Sequence, residues 1–94
     1  MDLSTIREQI DSIDSQLAQL FLQRMELVEQ VARYKLAHDL PVLQSDREQA
    51  VIEKAKSRAP QAMGGYMEEF FASTMAVSRH MQQDLIQAEK EKQR

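Results

Sequence analysis

An all-α fold with one very long helix and two shorter ones is what this sequence predicts, on three observations. Hydrophobic residues make up 43% of the 94 and charged residues 29%, with only two glycines and two prolines, a composition typical of soluble helical proteins. Leu3, Ile6, Ile10, Ile13, Leu17, Leu20, Arg24, Leu27, Val31 and Tyr34 follow one another at alternating steps of three and four, the seam of a heptad pattern. Between Met1 and Leu40 there is neither Pro nor Gly to interrupt it.

The first helix is read over Leu3 to Leu36. Thr5 with Glu8 three residues on fits a capping box at its start, and Pro41 stops it at the far end. Such a helix runs about 50 Å, longer than a small domain is wide. The remaining chain is too short to cover its stripe, so a second copy is the expected partner. A loop from His38 to Gln44 leads to a second capping box, Ser45 with Glu48, and to a short helix from about Asp46 to Arg58 with Val51, Ile52 and Ala55 inward. Pro60 and the pair Gly64-Gly65 mark the next break. A third helix is predicted from Tyr66 to Lys90, with Met67, Phe70, Phe71, Thr74, Val77, Ser78, Met81, Leu85 and Ala88 on or beside its inward stripe. The charged tail Glu89 to Arg94 is predicted to fray.

One domain spanning 1–94 is expected, its core marginal for a monomer and comfortable for a dimer. The formal charge of -3 argues against nucleic acid as a partner, so an anion must be met by a local basic cluster. No cysteine is present, which removes disulfides and thiolate chemistry. The opening Met-Asp-Leu-Ser lacks the pattern of a signal peptide, and no segment approaches the roughly 20 apolar residues of a membrane span; a cytoplasmic location is expected. His38 and His80 have no second ligand at a fitting spacing, so no metal is expected, and with no glycine-rich phosphate loop in the chain no cofactor is expected either.

Several polar residues stand where apolar ones belong. Arg24 lies on the seam, where a guanidinium with five donors is costly unless an anion meets it. Lys35 follows eleven residues later, which returns it to nearly the same direction about 16 Å along the axis, so the two side chains could converge on one small dianion. Arg7 lies roughly 25 Å from Arg24 and joins that site only if a partner subunit supplies it. Ser78 and Gln82, four apart, share a face of the third helix. Each has a plainer reading. Arg7 could be a solvated charge, Arg24 a register-setting or paired seam residue, Lys35 an offset to the helix dipole, and Glu48 a capping residue.

Taken in order, Ile6-Arg7-Glu8-Gln9-Ile10-Asp11-Ser12-Ile13-Asp14, then Leu20 to Arg24, Lys35, Pro41-Val42, Asp46-Arg47-Glu48, and Ser78 with Gln82, the chain resembles the all-helical chorismate mutase family over nearly its whole length. The resemblance implies an intertwined homodimer of three-helix subunits that converts chorismate to prephenate in phenylalanine and tyrosine biosynthesis. It further implies that Arg24 binds a carboxylate and Arg7 of the partner subunit another. Lys35 reaches a carboxylate and the ether oxygen, and Gln82 donates to that same oxygen. Ser78 helps hold a carboxylate, Glu48 takes the ring hydroxyl, and Arg47 supports the ring carboxylate. The visible departure is Gln44, where the family often has Asp. The family makes that contact partly through backbone, so the change bears on the group preferred at ring carbon four. Two alternatives share the scaffold, an isochorismate pyruvate-lyase and a mutase of 4-amino-4-deoxychorismate. A third, non-enzymatic reading is a helical dimerisation module acting through the first helix.

Overall fold

The computed structural model describes residues 2–93, and no strand occurs among them. Helix α1 spans Leu3–Ala37, α2 spans Ser45–Ser57 and α3 spans Gly64–Lys92, with a 3-10 turn at Gln61–Met63 leading into α3. The 35 residues of α1 make a rod of about 52 Å. No helix is long and apolar enough to cross a membrane among the described residues.

The helix ends are built differently from what the sequence predicts. Asp2, not Thr5, caps α1: its carboxylate accepts the Thr5 N–H at 2.8 Å, and Thr5 already lies inside the first turn. At the other end Asp39 takes the left-handed conformation, φ 52°, and the Leu40 N–H returns to the Lys35 carbonyl at 2.9 Å. This is the six-residue closure of a Schellman motif. Asp39 therefore turns the chain, and Pro41 follows two residues later. The box expected at Ser45 does not form either, since Ser45 is itself helical and Gln44 stands at the N-cap without a side-chain bond to the helix's first N–H groups. Nor do the two glycines break the chain. Gly64 is helical, φ -58° and ψ -43°, and opens α3 behind the 3-10 turn. The expected frayed tail is helical as far as Lys92, while Arg94 lies outside the described residues.

Helix α3 is the shared wall, packing on α1 and on α2. Its buried positions, Met75, Ser78 and Gln82, face Val28, Ala32 and Lys35 of α1 and Ala55 of α2. Both buried sets step by three and four, as two helices in lengthwise contact require. The stripe foreseen for α3 is thus partly wrong: Phe70 and Val77 are exposed, and Met75 takes the inward place. On α1, Leu27 and Tyr34 of the heptad seam are also exposed, because α3 covers the neighbouring face one residue on, about 100° around the helix. Residues 3–23 are exposed without exception. The radius of gyration, 16.8 Å, exceeds the roughly 12 Å of a compact chain this long, because half of α1 projects beyond its own packing.

Candidate active site

Where α1, the loop after it, α2 and α3 meet, they enclose a cavity of about 350 Å³, within the size range of small-molecule sites. Its apolar walls include Val28 and Val31 of α1, Val42 of the loop, Val51 of α2 and Met75 of α3. Its polar lining is Arg24, Lys35, Gln44, Arg47, Glu48, Ser78 and Gln82. Seven of the eight residues singled out in the sequence thus come together in one chain. Arg7 does not: it lies on the projecting, exposed half of α1.

Lys35 sits deepest of the cations, 9% exposed. Its ammonium donates to the Val42 carbonyl at 2.7 Å and to Gln82 Oε1 at 2.9 Å. An ammonium has three N–H groups and no acceptor, so one donor remains for a ligand. The left-handed turn at Asp39 lets this happen, since it folds Leu40 to Val42 back over the helix end. Burial pushes the Lys35 pKa down, partly opposed by the charge of Glu48. The same bond orients Gln82, which is 6% exposed. A lysine can only donate, so the amide oxygen must face Lys35 and the NH2 must point the other way.

Arg24 is held comparably. It donates to Ser78 Oγ and reaches Met75 Sδ at 3.8 Å. Ser78 in turn gives its proton to the Thr74 carbonyl at 2.9 Å, which turns a lone pair toward the guanidinium. The Arg24 pKa is lowered, first by burial and second by the charge of Arg47. Buried Lys35 and half-buried Arg24 are therefore both bonded to neutral partners, and neither has a carboxylate in hydrogen-bond contact among the described residues. Buried charge is stable when an opposite charge answers it.

The carboxylate of Glu48, read from the sequence as half a capping box, accepts instead from Arg79 of α3. Arg79 escaped the sequence reading because 31 residues separate it from Glu48 and no spacing rule links two helices at that distance. Gln44 donates its amide to the Pro41 carbonyl at 3.2 Å and lines the same cavity. The two histidines stand elsewhere. His38 stacks on Tyr34, and His80 lies 3.5 Å from Asp84 on the surface.

A family model described as chorismate mutase type II matches residues 6–83, a span that holds every site residue from Arg7 to Gln82. The chain belongs to the type II chorismate mutase family. Two curated relatives, each called T-protein, are similar to it. The one from Haemophilus influenzae is 42% identical over 60 residues, which is 64% of this chain and 16% of the relative. That from Enterobacter agglomerans is 35% identical over 63 residues, 67% of this chain and 17% of the relative. This chorismate mutase-type chain thus spans about a sixth of the length of the curated relatives it matches. No solved structure matches it.

Proposed function

We propose that this chain catalyses the rearrangement of chorismate to prephenate, working as a homodimer in which each cavity receives Arg7 from the partner chain. The observation that carries this reading is the pair of cations, half-buried Arg24 and buried Lys35, bonded only to neutral groups among the described residues, beside a Gln82 amide whose NH2 has no partner there. Chorismate is a dianion, and its conversion is pericyclic: an ether C–O bond breaks as a C–C bond forms. No nucleophile or general base takes part, so catalysis rests on holding a compact conformer and on donors aimed at the ether oxygen as it gains charge. In this reading Arg24 and Arg7 of the partner chain hold the carboxylates, with Arg47 supporting the ring carboxylate. The third N–H of Lys35 and the NH2 of Gln82 converge on the ether oxygen. Ser78 keeps Arg24 in place, Glu48 accepts the ring hydroxyl, and Gln44 stands near the group at ring carbon four. The bare half of α1 supports the dimer, since its stripe, with Leu20 59% and Ile13 56% exposed, has no cover within the chain.

The test is product identity by NMR after separate incubation of purified protein with chorismate, isochorismate and 4-amino-4-deoxychorismate. Prephenate from chorismate is expected. Arg24→Ala should keep its helical circular dichroism while turnover drops about a hundredfold or more, as for loss of a preorganised charged contact. Pyruvate from isochorismate would move the assignment to a lyase, and rearrangement of the amino analogue alone would move it to that substrate. A folded dimer inert toward all three, in which Arg24→Ala is neutral, would leave a dimerisation module.

A further inference from the structure

We propose that Arg79 is a positioning residue for the substrate-hydroxyl contact, holding Glu48 so that one carboxylate oxygen is tied and the other faces the cavity. The inference rests on the mutase reading above and concerns a residue outside the cavity lining. Glu48 sits on the first turns of α2 among three cations that border the same space, Arg24, Lys35 and Arg47. A carboxylate in that company is drawn toward the buried ammonium, and the charge of Glu48 already acts on Lys35. Were it to close onto Lys35, it would consume the donor left for the ether oxygen and cancel charge meant for the ligand. Arg79, on α3 one residue beyond Ser78, approaches from the side and takes Oε1 through its Nη1. Oε2 accepts no hydrogen bond from the described residues. A carboxylate accepts at both oxygens, so Oε2 remains for a hydroxyl, and the Arg79 charge offsets that of Glu48 without entering the cavity. Glu48 is the less exposed partner, 19% against 32% for Arg79.

The same ion pair ties α2 to α3, and the experiment must separate tying from positioning. Wild type, Arg79→Gln, Arg79→Lys, Glu48→Gln and the Arg79→Gln/Glu48→Gln double variant are compared by kcat and KM with chorismate and by Tm. Arg79→Gln is expected to lower kcat/KM about tenfold, the scale of one charge-assisted hydrogen bond, with Arg79→Lys recovering most of it. In the Glu48→Gln background, Arg79→Gln should change kcat/KM less than twofold, since there is no carboxylate left to position. An equal loss in both backgrounds would show that Arg79 acts apart from Glu48, and a loss that only tracks a fall in Tm would show a helix tie; either would overturn the proposal, as would full activity of Arg79→Gln. A wild-type chain without turnover would overturn the mutase reading and this inference with it. An active wild type with any of these adverse results would overturn the inference alone.

Discussion

At the scale of single residues, the decisive group is Lys35, an ammonium buried against two neutral oxygens. Its pKa lies below the ordinary 10.5 because burial outweighs the opposing charge of Glu48. Folding thus lowers this pKa, and the cost of burying the ammonium is felt in full below the folded value. That cost disappears as pH rises through the folded value toward 10.5, so Lys35 contributes stability that increases in alkaline solution. In the proposed mechanism turnover moves oppositely, because deprotonation removes the charge and an N–H that would donate a hydrogen bond to the ether oxygen. We expect kcat/KM, which reports the free enzyme, to fall on an alkaline limb below the ordinary lysine range. A bound dianion favours the charged form, so the limb in kcat should lie higher than that in kcat/KM. Between mildly acidic and mildly basic buffer the rate should be nearly flat, since Gln82 is neutral. A steep acid optimum in the pH profile would remove Gln82 from its role. Much of this was legible beforehand. The eleven-residue interval put Arg24 and Lys35 on one face, and the four-residue interval did the same for Ser78 and Gln82. What Arg24 and Lys35 bond to, and the hold of Arg79 on Glu48, depends on how α2 and α3 meet, which no interval within a helix records.

At the scale of elements, periodicity announced three helices, but their ends followed other rules. Thr5 and Ser45 carry the sequence marks of N-caps and are both inside helices, because Asp2 and the Gln44 backbone come first. The turn after α1 was the hardest to foresee. A left-handed residue past a helix end is usually Gly, sometimes Asn, and Asp39 carries no such flag. The strain is local and removable. Asp39→Gly should relieve it and raise stability by about 0.5–1 kcal/mol in denaturant unfolding, after the extra freedom of the unfolded chain is subtracted. Asp39→Val should do the opposite and also weaken turnover, because the turn carries the Val42 carbonyl to Lys35. Equal stability of the two variants would show that the turn holds no strain.

At the scale of the whole molecule, the buried apolar residues among those described number four, Val28, Ala32, Ala55 and Met75, which is little for a chain of 94 residues. A second copy laid along α1 would enlarge that core and deliver Arg7. If it does, Arg7→Ala and Lys35→Ala chains are each inactive alone but complementary when mixed, since one cavity of the heterodimer would hold neither substitution. Recovery of a measurable fraction of wild-type turnover after verified subunit exchange is expected. Its absence would mean that each site is made from one chain.

The bare half of α1 also has a consequence during synthesis. Its apolar comb, from Leu3 to Phe21, is translated before α3 exists, and α3 never covers it. Some 70 residues separate Phe21 from the end of α3 at Lys92, roughly 4–15 s of elongation at ordinary rates. For that interval at least, the comb is an adhesive surface in a crowded cell. Arg7, Glu8, Asp11 and Asp14 interleave it with charge, so the same turns that leave apolar side chains bare also carry a guard against indiscriminate association.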